Sequence, residues 1–138
     1  MGSSFEDLEV WKKSCRLAVN IYELLRDCRD YGIKDQILRS SLSIPSNIAE
    51  ESERNSIPDF QRFLNIANGS AAELRTQVYI SREVEILSEN DSKKIIQELK
   101  SISKMLQALK NLMGKTVNRL YTFYTLSAFL QGHSCHLL

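Results

Sequence analysis

The chain has 138 residues, of which 43% are hydrophobic and 25% charged, and its formal net charge is +1. This length fits one domain, and a core of that size needs neither a metal nor a disulfide to fold. A charge so near neutral indicates no general preference for polyanions. No apolar run of about 18 residues is present, so we expect no membrane span and no membrane partner. Because the start of the chain lacks a signal-peptide pattern and the cysteine number is odd, we expect a cytoplasmic protein with free thiols.

The first helix is predicted from about Phe5 to Arg29. Asp30-Tyr31-Gly32 is predicted to end it, with Gly32 in a left-handed C-terminal cap. We expect Trp11 to be a core anchor rather than a ligand platform. The apolar side chains recur every three or four residues and mark one buried face: Leu8, Trp11, Cys15, Ala18, Tyr22 and Leu25.

The second helix is predicted to begin near Ile33, with Ile37, Ile44 and Ile48 on its buried face. Pro45 falls inside this pattern and cannot donate a backbone hydrogen bond, so a bend is expected there. Serines surround the proline and allow a neighbouring helix to approach closely.

The third helix is predicted from Ser56-Ile57-Pro58-Asp59, which offers a serine cap and a proline in the first turn, to about Leu87. Gly69 and the small residues up to Ala72 interrupt it. A glycine in a helix costs about 1 kcal/mol against alanine, so we expect close packing against the Ile44–Glu50 segment as its reason. Apolar residues on a second flank favour an oligomer.

The fourth helix is predicted to follow Ser88, with Asn90, Asp91 or Ser92 as its cap. Its apolar positions form a heptad-like seam: Ile95, Leu99, Ile102, Leu106, Leu109 and Met113. At about 100° per residue, four lysines project in a narrow arc on the opposite side: Lys93, Lys100, Lys104 and Lys115.

The helical domain is predicted to occupy residues 1–113, followed by an apolar appendage at 114–138. From Lys115 onward the chain has no acidic residue, and aromatic residues between Tyr121 and Phe129 give it high β propensity. Its apolar stretch is too short to cross a bilayer. We expect this segment to be disordered or docked on a neighbouring chain.

The residue pattern predicts no catalytic, cofactor-binding or metal-binding residues. Both histidines, His133 and His136, lie at the end of the chain, and no Gly-rich phosphate loop or nucleophile elbow is present. Carboxylates at Glu50, Glu51 and Glu53 lack the Glu-x-x-His pattern of a di-metal bundle, so a solvated helix end or an ion pair is the expected role. We therefore expect a protein that is not an enzyme and has no cofactor.

A basic segment in the fourth helix is the main functional candidate. From Asp91 to Arg119 seven basic residues face two acidic ones, a local charge of +5. Such a ridge is either an ordinary solvated helix face or a surface that contacts phosphates, and copies arranged in a ring would multiply it. The candidate nucleic-acid-binding residues are Lys93, Lys94, Lys100, Lys104, Lys110 and Lys115.

Three motifs in succession resemble a known family. They are Phe5-x-x-Leu8-x-Val10-Trp11, Ser43-Ile44-Pro45-Ser46-Asn47-Ile48-Ala49-Glu50 with Arg54, and Phe60-x-x-Phe63-Leu64-x-x-Ala67-x-Gly69-Ser70 with Glu73-Leu74. They are similar to those of the bacterial proteins encoded in intervening sequences of 23S rRNA genes, which are often labelled as ribosomal proteins. This chain has Glu51 where the family pattern has glycine, which favours a longer second helix.

The resemblance implies an all-α, antiparallel up-down four-helix bundle that assembles as a homopentameric ring. It also implies similarity to the accessory protein of diversity-generating retroelements, which binds nucleic acid and a reverse transcriptase. Two functions follow as expectations. The first is direct binding of RNA or DNA through the basic face, and the second is a protein scaffold that docks a nucleic-acid-processing partner without touching nucleic acid.

Overall fold

The computed structural model describes residues 4–52 and 57–130. This part of the chain is all-helical and contains no strand, as expected for the fold class. A short 3-10 helix at Phe5–Asp7 precedes four α-helices. The helices are α1 (Glu9–Leu24), α2 (Tyr31–Ser52), α3 (Ile57–Glu83) and α4 (Glu89–Leu130). No helix in the described ranges is both long and apolar enough to cross a membrane.

The start of the chain differs from the single long helix that was predicted. Ser4 caps the 3-10 helix, because its Oγ accepts a hydrogen bond from the Glu6 N–H at 3.4 Å and its own N–H donates to Asp7 Oδ2 at 3.2 Å. Leu8 is then extended, with φ −73° and ψ 121°, and α1 begins only at Glu9. The Trp11 ring lies edge-on to Phe5, with centroids 5.2 Å apart, and packs against the core.

All four helices contribute to one core. The periodicity of the sequence predicted most of it, and its most deeply buried side chains are Ile21, Leu25, Ile37, Ile44, Ile48, Leu64, Leu74, Ile95, Leu99, Ile102 and Leu106. Tyr22 was predicted on the buried face of the first helix, but it is 56% exposed. Its ring instead lies beside the guanidinium of Arg26, with Cζ 5.9 Å from the ring centroid.

Helix α2 begins at Tyr31 and runs through Pro45 without interruption. Gly32 therefore lies in its first turn and is not the left-handed cap that was predicted. Next to the proline, the side-chain amide of Asn47 donates to the Ser43 carbonyl at 2.7 Å and to the Ser43 hydroxyl at 3.0 Å. These bonds satisfy a polar side chain beside the buried Ile48.

The connection between α3 and α4 is a tight helix end followed by a serine cap. Glu85 adopts a left-handed conformation with φ 63°, and the Ile86 N–H donates to the Ser81 carbonyl at 2.9 Å. Ser88 then caps α4 by accepting a hydrogen bond from the Asp91 N–H at 3.0 Å. The predicted caps, Asn90, Asp91 and Ser92, are wrong because α4 begins at Glu89, ahead of all three.

The small residues of α3 do contact α2, but not through the glycine. The hydroxyls of Ser43 and Ser70 are 2.8 Å apart across the two helices. A Cβ built on Gly69 would meet nothing within 4 Å. Close packing within the chain is therefore not the reason for this glycine.

Helix α4 is longer than predicted. It has 42 residues, passes the predicted boundary at residue 113 and continues to Leu130. At about 1.5 Å per residue it is roughly 63 Å long. The part of the predicted appendage that the structure describes, residues 114–130, is thus helical, and residues 131–138 lie outside the described ranges. Docking of this segment on a neighbour stays a prediction.

Helices α3 and α4 run in opposite directions where they touch. Lys110 of α4 contacts Asn65 of α3, and a Cβ on Gly114 would lie 3.8 Å from the side-chain amide of Gln61. Each step forward along α4 is therefore a step back along α3. On this register the first residue of α3, Ile57, is level with Asn118, and the last twelve residues of α4 extend past the start of α3.

Candidate nucleic-acid interface

A row of four exposed lysines follows the outer side of α4. Lys93, Lys100, Lys104 and Lys115 are all solvent-exposed. At about 100° per residue they fall within an arc of roughly 60° on the side opposite the buried seam. We call these four residues the α4 lysine row. From Lys93 to Lys115 it rises by 22 residue steps, or about 33 Å, which is roughly ten base pairs of duplex at 3.4 Å each.

No acidic side chain interrupts this row. The intervening outward positions carry the uncharged Gln97, Gln107 and Asn111. Glu98 lies on another side of α4, where its carboxylate pairs with Lys13 of α1 at 2.9 Å. Within the described ranges, no lysine of the row makes an ion pair or a side-chain hydrogen bond. Their charges therefore remain fully available to a polyanion.

Two of the candidate lysines lie outside the row. Lys94 is exposed but projects about 90° from the centre of the arc. Lys110 is half-buried on the side facing α3, where its Nζ donates to Asn65 Oδ1 at 2.9 Å. The structure therefore brings Lys93, Lys100, Lys104 and Lys115 together on one face and assigns Lys110 a contact between helices. Sequence reasoning missed that contact because Asn65 is 45 residues away.

The lysine row presents the kind of charge that contact with phosphates requires. Exposed ammonium groups release the counterions of a nucleic acid, which supplies binding without sequence preference. No cluster of three or more metal-ligating side chains occurs in the part of the chain that the structure describes. The histidines His133 and His136 and the glutamate Glu53 lie outside that part, and Glu50 already has an interaction partner.

A second surface, which the sequence analysis did not identify, is an apolar groove between α1 and α2. Its volume is about 330 Å³. Val19, Tyr22 and Leu42 form its exposed edges, at 63%, 56% and 58% exposure. The hydroxyl of Ser41 donates to the Leu38 carbonyl at 2.8 Å, so it does not make the groove more polar. We call this the α1/α2 groove, and its lining is Cys15, Ala18, Val19, Tyr22, Leu38, Ser41, Leu42 and Pro45.

The thiol of Cys15 is the one reactive group in this lining. Partial burial raises its pKa above the ordinary value for cysteine, and the neighbouring Arg16 opposes that shift only in part. The thiol is therefore protonated at neutral pH and behaves as a small apolar side chain. Val19 and Leu42 are both exposed, but the pattern of either helix alone does not show that they border a common groove.

Residues 6–108 match the family model described as 23S rRNA-intervening sequence protein. The chain belongs to this family. The match confirms the family recognised from the three motifs, and it ends within α4, 22 residues before that helix does.

A solved structure agrees with this assignment. The crystal structure of a protein of unknown function from the S23 ribosomal protein family of Bacteroides thetaiotaomicron is 30% identical in sequence and superposes with a TM-score of 0.69. The similarity covers 73% of this chain and 97% of that chain. No curated protein matches the chain. Nearly all of the Bacteroides protein therefore has a counterpart in this member of the family, whereas about a quarter of this chain has none in the Bacteroides protein.

Proposed function

We propose that this intervening-sequence protein is a non-enzymatic, homo-oligomeric four-helix bundle that binds RNA or DNA through the α4 lysine row. The observation that carries this proposal is an exposed, acid-free row of lysines that have no partners among the described residues. Ordinary solvated helices mix both charge signs, whereas this face carries one sign over about 33 Å. Binding of this kind relies on counterion release and needs no cofactor.

The proposal includes an antiparallel up-down arrangement of the helices and a ring of five subunits. Apolar exposure supports the assembly: Val19, Tyr22, Leu42, Val84, Leu112, Phe123 and Leu126 are each more than half exposed. A partner chain would remove such side chains from water. Assembly would also repeat the lysine row on every subunit, so that one nucleic acid could engage several rows and gain avidity.

Protection of lysines from acetylation tests the direct contact. A duplex added before a brief pulse of acetylating reagent should slow modification of Lys93, Lys100 and Lys104, read by peptide mass spectrometry. Lys34 serves as an internal reference, because it lies on α2 rather than α4 and its Nζ donates to the Arg26 carbonyl at 3.1 Å. If the acetylation rate of each of these lysines is the same with and without duplex, the assignment of this face is refuted.

A second candidate function is a scaffold that docks a nucleic-acid-processing protein without contacting nucleic acid itself. The exposed α1/α2 groove favours it, because a groove of this depth and polarity suits an apolar segment of another chain. The two candidates separate at high salt after nuclease treatment. A scaffold keeps its protein partner under those conditions, whereas a complex held through phosphates dissociates.

A further inference from the structure

The last part of α4 has an apolar stripe that the described part of the chain leaves exposed. Leu120, Phe123 and Leu126 are 47%, 72% and 55% exposed. They recur every three residues, so they share a face about 120° wide on the helix. We call residues 119–130 the α4 extension and these three side chains its stripe. The extension lies beyond residue 108, where the family match ends.

The stripe cannot reach the α1/α2 groove of its own chain. Helix α4 continues past the start of α3 without a break, and the extension leads about 18 Å further in that direction. The groove lies in the opposite direction from the extension. It is formed by Cys15–Tyr22 of α1 and Leu38–Pro45 of α2. Folding back would require α4 to break, which costs the backbone hydrogen bonds of at least one turn. A stripe that docks in this groove must therefore come from a second chain.

From these two surfaces we infer that the α4 extension of one copy docks its stripe into the α1/α2 groove of the next copy. Both surfaces are apolar, and the groove is open along the side where Val19 and Leu42 stand out from their helices. An amphipathic helix in an apolar groove, anchored at residues spaced by three, is a common mode of recognition. The inference rests on the self-association in the proposed function and names the interface for it.

This contact would join two different surfaces of neighbouring copies. Each copy offers one extension and accepts one, so the interface is heterologous, and it either closes into a ring or grows into a filament. Even if each of the three stripe residues and the three exposed groove residues counted as an aromatic side chain of roughly 200 Å², their exposed fractions would bury at most about 700 Å². This is below the roughly 1,200 Å² of a stable pair, so a single contact is weak and ring closure stabilises the assembly.

The native thiol in the groove allows a direct test by disulfide formation. Both cysteine variants would carry Cys28→Ala and Cys135→Ser. The first chain retains Cys15, so its single thiol lies in the groove. The second chain carries Cys15→Ala and Phe123→Cys, so its single thiol lies in the stripe. After the two chains are mixed and oxidised, we expect a disulfide-linked pair that mass spectrometry maps to the groove cysteine and position 123. A third chain with Ile80→Cys in place of Phe123→Cys is the control, because Ile80 is 51% exposed but lies on α3.

The possible outcomes separate this inference from its alternatives. Links only between two copies of the Phe123→Cys chain would mean that the extensions pair with each other, and would overturn the inference. Equal linking of the Ile80→Cys control would overturn it as well, because the linking would then be random collision. Binding of the extension to anionic lipid vesicles, without any cross-link between chains, would assign the stripe to a membrane surface instead.

The mass in solution distinguishes failure of the interface from failure of the proposed function. Phe123→Glu and Leu42→Glu should each weaken subunit association on the order of 30-fold, as for a buried apolar anchor, whereas Ile80→Glu should not. If Phe123→Glu and Leu42→Glu both remain fully assembled, the inferred contact between extension and groove is wrong, but the proposed self-association is not contradicted. If the wild-type chain is a monomer at every concentration, the proposed oligomer is wrong too. Lysine-dependent nucleic-acid binding is measured separately and can survive either result.

Discussion

Removal of charge from the α4 lysine row should abolish most of the binding to nucleic acid. The triple variant Lys93→Gln, Lys100→Gln and Lys104→Gln leaves Lys115 as the only charge in the row. Glutamine has nearly the helix propensity of lysine, and all three side chains are exposed, so the fold should not change. The matched control removes the same charge from other exposed or half-buried positions through Lys12→Gln, Arg16→Gln and Arg29→Gln.

The size of the effect follows from the number of phosphate contacts. Four lysines that each neutralise one phosphate give a slope of about −3.6 in log K against log salt for a duplex, and one lysine gives about −0.9. Between 50 and 200 mM salt the wild-type affinity should therefore fall roughly 150-fold, and that of the triple variant only about 3-fold. If the two proteins converge near 1 M salt, their affinities should differ about 170-fold at 0.15 M.

Fluorescence anisotropy of a labelled duplex of about ten base pairs measures both quantities, since the lysine row covers roughly that length. The control variant should keep the wild-type slope, which excludes an effect of net charge alone. A triple variant that binds with unchanged affinity and slope would refute a role for this face. Equal losses in the control and the triple variant would show that only the overall charge matters.

Three further predictions concern the stability of the helices. Ser88→Ala removes the cap of α4 and should lower the free energy of unfolding by about 1 kcal/mol in urea denaturation; no change would mean that the hydrogen bond to Asp91 contributes nothing. Glu85→Gly relieves the left-handed φ of 63° and should raise the free energy of unfolding by about 1 kcal/mol. Glu83→Gly in α3 is the control and should lower it. Gly69→Ala should also raise the free energy of unfolding by about 1 kcal/mol, because a Cβ there has no neighbour within 4 Å. Loss of subunit assembly in Gly69→Ala would instead show that another chain covers this position.

The core of α2 and α4 could be predicted from the sequence because it follows helical periodicity, whereas the buried face of α1 includes Val10, Leu17 and Ile21, which were not predicted. Ile95, Leu99, Ile102 and Leu106 recur in steps of four, three and four, and each is at most 1% exposed. Helix boundaries were less predictable, because they depend on local hydrogen bonds. Ser4 and Asp7 form a capping box that begins a separate 3-10 turn, Leu8 follows that turn in an extended conformation, and the apolar pattern of α1 gives no sign of either.

The length of α4 could not be read from β propensity. The aromatic residues after Gly114 favour a strand in isolation, but here they follow a helix that is already formed. Extending an existing helix fixes one residue for each hydrogen bond gained, whereas a new strand would need a partner. Propagation of the helix therefore overrides the local preference up to Leu130.

The candidate site was predictable only in part, for a similar reason. A rotation of about 100° per residue was enough to place Lys93, Lys100, Lys104 and Lys115 on one face. It could not show that Lys110 is held by Asn65, which requires the packing of α3 on α4. The α1/α2 groove likewise needs two helices side by side, so no single-helix pattern could reveal it.

Purification without nuclease, with absorbance and mass read on the same peak, tests the central claim most directly. The account predicts a protein peak at a multiple of 15.8 kDa with excess absorbance at 260 nm. It also predicts that the excess disappears in the triple lysine variant while the subunit number stays the same. A wild-type peak without nucleic acid, which also fails to bind added duplex at 50 mM salt, would contradict it.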